Sequence, residues 1–418
     1  MILGAMWVQG AAPQFLRPEQ LEFVGNKAYT VDEIRNELRG SAAFLAAGHP
    51  LAGGPAKVAC VTSGLFGSVS GSAVANVMAT GPITIPTMKR LGYPPAFAGA
   101  VEAVASSAGQ LTPPVMGAAA FIMAEFLAIP YTDIVIAAIG PAFLYYLAVW
   151  FGVDLYARRT GLQPTPRSEM PEPAEFLAPD KSIPLFLPIA AMVYFLFNGY
   201  TPSYAGAGAI IVLVVACGLV RPFARDGKKQ GVLACWAKLA RDIYEGMVEA
   251  GRALVMIAAL LACAAIVVKV LTATGAGVKV SNLLFSVSGQ GLIVALLLAA
   301  VLAILLGMDV PTTASYVLAA AIAAPSLVRL GLPELTAHLF VFYYAILSAI
   351  TPPVCASVYA AAALAGANFW RVAGRALMLA GAIYVVPFLF VFRPGILAQG
   401  GTVQILLDMG VACAAVFA

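Results

Sequence analysis

From residue 55 onward the chain is a series of long apolar segments, which limits the possible folds more than any other feature. Only 11% of the residues are charged and 61% are hydrophobic, whereas about 25% of a soluble protein is charged. In lipid, backbone polar groups must bond to one another, and helices of about 20 residues do this. We therefore predict an all-α polytopic membrane protein. The predicted segments are 56–88, 97–128, 133–152, 183–198, 204–221, 252–272, 281–328, 334–366, 372–392 and 395–417.

The polar stretches divide the chain into five regions. Residues 1–52 contain no spanning segment, and we expect a soluble or interfacial lead-in; one interpretation is a remnant of a truncated scaffold. Residues 230–250 have the pattern of an amphipathic arm helix on the membrane surface, and an ordinary solvated connector is the alternative. The predicted regions are the lead-in 1–52, a first repeat 53–152, scaffold helices with a cytoplasmic linker and arm 153–290, a second repeat 291–392 and a C-terminal helix 393–418.

An internal repeat organises the apolar part. The sequence LGYP at 91–94 returns as LGLP at 330–333, an offset of 239 residues. The sequence TPP at 112–114 returns at 351–353 with the same offset. Several matches in the same order indicate two copies of one structural unit.

Each repeat begins with a long apolar segment that has small polar residues at its middle. Segment 56–88 carries Ser68, Ser70 and Ser72 there, and its Gly67 aligns with Gly307 of the second unit. A straight membrane span does not place polar residues at its centre. Irregular backbone at that depth is tolerated only inside protein or beside water. We therefore predict two re-entrant hairpins with buried tips.

The TPP sequences predict helix breaks in the following segments. Proline lacks an N–H group, so the carbonyls four residues earlier lose their helical partners. The affected carbonyls would be those of Gly109, Gln110, Ser348 and Ala349. Carbonyl and hydroxyl oxygens at mid-membrane suit Na⁺, and repeats with broken helices indicate a secondary transporter. The alternative is proline kinks that neighbouring helices pack against.

The two hairpins and two breaks predict two Na⁺ sites. Both would use hydroxyl, amide and carbonyl oxygens and would need no carboxylate. The predicted ligands of site 1 are Ser70, Ser72, Asn76, Gly109, Thr112 and Pro114. The predicted ligands of site 2 are Gly307, Thr312, Thr313, Ser348, Thr351 and Pro353.

The predicted topology makes the repeats inverted. Five crossings separate the two hairpins, so the hairpins enter from opposite faces. This topology places 16 of the 20 Lys and Arg residues beyond residue 52 on the face where the first hairpin opens. The positive-inside rule makes that face cytoplasmic. The C-terminus is then cytoplasmic as well.

The segment GGPAKVACVTSGLFGSVSGSAVANVMATG and the later GMDVPTTASYVLAAAIAAPSL and ITPPVCASVYAAAALAGANFWR resemble the large permease of tripartite ATP-independent periplasmic (TRAP) transporters. The resemblance covers residues 53–395 and is closest to the fused TAXI subgroup. It implies an elevator-type transporter of the bacterial inner membrane that uses a Na⁺ gradient. It also implies a periplasmic substrate-binding protein that delivers an organic acid, and scaffold helices like the small membrane subunit.

The chain departs from that family pattern in two ways. The family has scaffold helices before the first hairpin, and residues 1–52 stand in their place. The second tip carries Asp309 where the family usually has glycine, either as a cation ligand or as a hydrogen-bonded carboxylate.

Glu102 lies two turns before the first break and is, with Asp309, a candidate contact for substrate or ion. Glu125 and His338 are expected near membrane surfaces.

Three functional hypotheses follow. The first is the permease subunit just described, with Na⁺ as coupling ion and no other cofactor. The second is a stand-alone carrier or channel of the same architecture, or an inactive fragment of a longer permease. The third, a membrane enzyme, lacks support because the two histidines, His49 and His338, are far apart and no catalytic cluster is evident. The composition excludes a nucleic-acid partner, and the six scattered cysteines indicate apolar packing.

The predicted arm gives a test of topology. A single cysteine at Lys238 should react with a membrane-impermeant maleimide from the cytoplasmic side only, because the arm lies on that surface. Inside-out and right-side-out vesicles measure this directly. Reaction from the periplasmic side would show that the predicted topology is upside down.

Overall fold

The computed structural model describes residues 54–162, 179–220, 222, 232–275, 279, 286, 291–308 and 310–417. Within these ranges the regular structure is helical throughout and includes no strand, which confirms the predicted all-α membrane fold. The lead-in 1–52 and Asp309 lie outside them. The helices of the first repeat are α1 (Gly54–Ser70), α2 (Ala73–Arg90), α3 (Pro95–Ala108) and α4 (Ala118–Leu127), with a 3₁₀ turn at Gly109–Leu111.

The second repeat has the same element order. Its helices are α9 (Leu292–Gly307), α10 (Thr312–Arg329), α11 (Glu334–Leu347) and α12 (Ala356–Ala365), with a 3₁₀ turn at Ser348–Ile350. Between the repeats lie α5 (Tyr131–Thr160), α6 (Pro179–Phe197), α7 (Pro202–Val220) and α8 (Val232–Ala273). After the second repeat come α13 (Phe369–Ala380), α14 (Val386–Phe392) and α15 (Thr402–Phe417), with 3₁₀ turns at Ile383–Val385 and Pro394–Leu397.

Both predicted hairpins are pairs of packed helices with a break at the polar tip. The first breaks at Gly71, whose φ of +63° suits glycine. Ser72 then caps α2 by accepting a hydrogen bond from the Ala75 N–H at 3.4 Å. The second breaks between Met308 and Pro311. Entry of the two hairpins from opposite membrane faces stays a prediction.

The two repeats interlock through their broken helices. Helix α12 of the second repeat packs on α2 and α3 of the first. In return, α4 of the first repeat packs on α10 and α11 of the second. Helix α3 is buried at every position from 97 to 108, including the polar residues Glu102, Ser106 and Ser107. The core therefore belongs to both repeats together.

The lengths of the helices reflect the breaks. In the described part of the chain, Tyr131–Thr160 and Ser203–Val220 are each long and apolar enough to cross a membrane. A third membrane span is formed if two helices that meet at an angle of 56°, Phe369–Ala380 and Ile383–Phe392, are counted as one. The halves of the hairpins and broken helices have at most 18 residues. Six further apolar helices among the described residues are 10–17 residues long, among them Ala118–Leu127 and Ala356–Ala365.

Ionic contacts hold the open end of the first hairpin against the end of α5. The buried Lys57 Nζ lies 2.5 Å from Asp154 Oδ1 and 5.0 Å from the centre of the Trp150 ring. Arg158 completes the group at 2.7 Å from Asp154 Oδ2. At the other limb, Lys89 donates to the Ala365 carbonyl at 3.0 Å. Lys57 and Arg158 therefore lie together, and both, like Lys89, are among the basic residues that the predicted topology places at one face.

Three predicted boundaries differ from the structure. Residues 232–250 of the predicted arm and the segment 252–272 form one continuous helix, α8, because no proline separates them and the glycine between them, Gly251, is accommodated within the helix. The crossing 133–152 continues to Thr160, where Gly161 in the left-handed conformation ends it. The segment 372–392 is bent at Gly381, where α13 ends. Most of the linker 154–182 lies outside the described ranges.

Candidate functional site

The first candidate site lies where hairpin α1–α2 crosses the 3₁₀ turn after α3. Gly67 and Gly109 touch there, and a Cβ on Gly67 would lie 2.6 Å from the Gly109 Cα. The buried Asn76 amide donates to the carbonyls of Ser63 at 2.7 Å and Ser106 at 3.3 Å. Asn76 therefore holds the hairpin against the broken helix, and its side-chain oxygen faces the hydroxyl of Thr80 at 3.4 Å.

The second candidate site repeats this crossing with different side chains. A Cβ on Gly307 would collide with the Ser348 side chain, the counterpart of Gly109 at the repeat offset of 239. Ser348 Oγ lies 3.1 Å from the Gly307 carbonyl and 2.7 Å from the Ala345 carbonyl, sharing its proton between them. Ser315, the counterpart of Asn76, is fully buried, and its hydroxyl has no hydrogen-bond partner among the described residues. An unsatisfied oxygen is therefore available at this crossing.

The TPP segments have matching geometry in both repeats. Thr112 Oγ1 donates to the Ala108 carbonyl at 2.8 Å and lies 3.2 Å from the Tyr146 hydroxyl. Thr351 Oγ1 donates to the Leu347 carbonyl at 2.6 Å and lies 2.6 Å from the hydroxyl of a tyrosine, Tyr384. Each threonine proton is thus directed back along its own helix. The oxygen lone pairs point away from that helix, where a cation could use them.

The prediction that the prolines leave carbonyls without partners is wrong for three of the four. The carbonyl of Gly109 accepts from the N–H of Thr112, and that of Ser348 accepts from the N–H of Thr351. Both bonds form because the chain tightens into a 3₁₀ turn, which pairs residues three apart. The Gln110 carbonyl accepts from the Gly117 N–H at 2.9 Å. A carbonyl has two lone pairs, so each can still contribute one to an ion.

The two hairpin tips meet at one side chain. The buried Gln110 donates from Nε2 to the Gly71 carbonyl at 3.1 Å, at the tip of the first hairpin. Its Oε1 accepts from Thr312 Oγ1 at 3.1 Å, at the start of the second limb of the other hairpin. The two candidate sites are therefore neighbours.

The remaining predicted ligands line the accessible side of the tips. Ser70 and Pro353 are exposed, and Ser72, Thr313 and Pro114 are half-buried. The Pro114 carbonyl accepts from the Tyr131 hydroxyl at 3.0 Å, and the same hydroxyl lies 2.6 Å from the Val115 carbonyl. The contacts seen between hairpin and break join Asn76 to Gly109 in site 1 and Gly307 to Ser348 in site 2. Their role as Na⁺ ligands stays a prediction.

Glu102 lies beside the first site in a pocket of hydroxyl groups. It is fully buried, and its Oε1 accepts from Ser63 at 2.9 Å, Thr80 at 2.5 Å and Ser106 at 3.1 Å. Its Oε2 accepts from Thr84 at 2.5 Å. The donors come from α1, α2 and α3, so the carboxyl group joins three helices. Polar groups that bond across helices in this way stabilise membrane folds.

Comparison with known proteins identifies the family. The family described as "Tripartite ATP-independent periplasmic transporter, DctM component" matches residues 41–405. The chain belongs to this family. The large permease of the C4-dicarboxylate TRAP transporter from Vibrio cholerae is 24% identical over 351 residues, covering 82% of this chain and 76% of that protein. Its counterpart from Pseudomonas aeruginosa is 25% identical over 323 residues, covering 76% and 70%.

A third DctM relative is longer than this chain. The isethionate TRAP transporter permease DctMQ of Oleidesulfovibrio alaskensis is 22% identical over 347 residues. The match covers 83% of this chain and 52% of the relative, so the chain spans about half of that protein. The predicted TRAP membership is confirmed. The closer relation to the TAXI subgroup stays a prediction.

Sequence reasoning missed several residues of this DctM site. Tyr146 and Tyr384 contact the two TPP threonines, and Tyr131 holds the segment after the first break. One signal was present in the sequence. At the offset of 239 residues the counterpart of Tyr384 is Tyr145, the neighbour of Tyr146. Extending the repeat beyond the TPP segments with one residue of slip would have paired Tyr146 with Tyr384.

The Glu102 pocket predicts a stability effect. Replacement of Glu102 by alanine leaves buried hydroxyls on three helices without their acceptor and opens a cavity. We expect the free energy of unfolding to fall by about 2 kcal/mol or more. Glu102→Gln keeps the shape and one acceptor oxygen, and should cost less. Thermal unfolding of the purified protein in lipid nanodiscs measures both.

Glu125→Ala is the matched control, because Glu125 is an exposed carboxylate at the end of α4. It should leave the unfolding temperature unchanged. Equal stability of Glu102→Ala and wild type would show that the pocket does not hold the three helices together.

Proposed function

We propose that this chain is the permease of a Na⁺-coupled secondary transporter that imports a small organic acid. One observation carries the proposal. Two pseudo-equivalent crossings each bring a hairpin tip against a break that carries a threonine hydroxyl and main-chain carbonyls, and the Glu102 carboxylate beside the first crossing is bonded to hydroxyl groups. Neutral oxygen ligands in a confined site suit a monovalent cation. Ser315, buried and without a hydrogen-bond partner among the described residues, supplies an oxygen that a bound group could use.

The substrate class is proposed from the relatives. The names of three relatives refer to C4-dicarboxylates and isethionate, and each of these is a small organic acid. The candidate sites offer neutral hydrogen-bond donors and acceptors at the exposed side of both tips. Na⁺ bound behind each tip would place positive charge there, which would favour an anionic substrate.

The partners are proposed from the DctM family. A periplasmic binding protein would deliver the substrate, and scaffold helices of the small-subunit type would surround the moving part. Helices α6 and α7 pack chiefly against each other in the described structure, as expected of a scaffold element separate from the interlocked repeats. We place the protein in the bacterial inner membrane with its C-terminus in the cytoplasm. Movement of the repeats against α6–α8 would give alternating access.

Two isosteric substitutions test the coupling ion. Thr112→Val and Thr351→Val keep the side-chain shape and each remove one hydroxyl oxygen from a candidate site. We expect each variant to raise the Na⁺ concentration for half-maximal uptake by roughly tenfold, which corresponds to about 1.4 kcal/mol of binding free energy. The measurement is uptake into proteoliposomes at fixed pH with the binding protein added.

Tyr146→Phe is the matched control. It removes the hydroxyl that lies 3.2 Å from Thr112 and leaves the threonine oxygen in place, so its effect on the Na⁺ requirement should be smaller. Wild-type Na⁺ dependence in both threonine variants, or equal uptake in Na⁺-free buffer, would contradict the proposal. Uptake without any binding protein would favour the stand-alone carrier.

A further inference from the structure

Gln110 contacts the tips of both hairpins. It lies in the 3₁₀ turn at the first break, where the chain leaves the helix, and 5% of its surface is exposed. Its two polar atoms are used by different repeats. The amide nitrogen binds the carbonyl of Gly71 at the first tip, and the amide oxygen binds the hydroxyl of Thr312 at the second.

The link that Gln110 makes between the two tips belongs to the first repeat and has no counterpart in the second. At the offset of 239 residues, the counterpart of Gln110 is Ala349, which has no polar side chain. The two TPP segments are otherwise alike, with a threonine bound to a tyrosine hydroxyl in each. The repeats therefore differ at the one position of this turn that reaches the opposite tip.

The hydrogen bonds fix the direction in which each group points. Thr312 has one hydroxyl proton, and donation of that proton to Gln110 turns the oxygen lone pairs away from Gln110. Those lone pairs are the ones a cation at the second tip would use. The Gln110 amide is oriented in turn by the Gly71 carbonyl at the first tip.

We propose that Gln110 is a positioning residue that couples the two cation sites. The inference rests on the proposed function, because it needs an ion at each tip. Occupation of the first site would close its tip, hold Gln110 and orient Thr312 for the second ion. Coupling between sites is reciprocal, so an ion at the second tip would favour the first by the same factor. Na⁺ binding would then be cooperative.

Substitutions of Gln110 test the coupling. Gln110→Met keeps the length of the side chain and removes both polar atoms. Gln110→Glu keeps an acceptor for Thr312 but has no N–H for the Gly71 carbonyl. We expect the Hill coefficient for Na⁺ to be above 1 in the wild type and to fall to about 1 in both variants. Half-saturation should shift by about threefold, in the range of hydrogen bonds between membrane helices.

Ser107→Ala is the matched control, because Ser107 is buried one turn earlier and its hydroxyl bonds to Ala103 of the same helix at 2.9 Å. It should keep the wild-type Hill coefficient. The Na⁺ dependence of thermal unfolding, measured in lipid nanodiscs on the same proteins, is a second readout that does not require transport. A variant that merely weakened the fold would lower the unfolding temperature equally at all Na⁺ concentrations.

The outcomes separate the two proposals. If the wild type binds Na⁺ cooperatively and Gln110→Met and Gln110→Glu do so equally, the coupling role of Gln110 is overturned and the proposed function stands. If neither uptake nor unfolding of the wild type responds to Na⁺, the proposed function is overturned, and the coupling with it. Loss of cooperativity in both variants but not in Ser107→Ala supports the inference.

Discussion

Each candidate site depends on a place where two stretches of backbone touch. Gly67 of the first hairpin meets the backbone of Gly109 at the first break, and Gly307 of the second hairpin packs against the Ser348 side chain at the second break. This approach brings Asn76 within reach of carbonyls on both sides of the crossing. Small residues at helix crossings are how membrane proteins achieve such contact. Without it, the polar tips would have no protein around them, and irregular backbone would be exposed to lipid.

The exchange of helices between repeats makes the two crossings parts of one structure. Helix α12 packs on the hairpin of the first repeat, and α4 packs on the hairpin of the second. A shift of either hairpin therefore reaches the break of its own repeat and a helix of the other. Gln110 adds a direct polar contact between the tips. The arrangement suits a transporter in which ion binding at one site changes ion binding at the other.

The sequence was informative where a feature depends on residue type and spacing. Apolar length predicts the helices, the small polar residues at the hairpin middles and the TPP prolines predict the breaks, and the offset predicts which elements correspond. Hydrogen bonds that depend on the path of the backbone could not be foreseen. The carbonyls of Gly109 and Gln110 accept from Thr112 and Gly117 because the chain tightens into a 3₁₀ turn and then turns back after the break. The Glu102 pocket likewise draws its donors from three helices, so no local pattern reveals it.

The central claim is that each hairpin tip closes on a TPP break to form an ion site. Electron cryo-microscopy of the full chain in lipid nanodiscs, in Na⁺ and in choline, tests this most directly. We predict one ion density between the first tip and Thr112 and another between the second tip and Thr351 in Na⁺, both absent in choline. Hairpins that cross the whole membrane, or maps that are identical in the two salts, would contradict it.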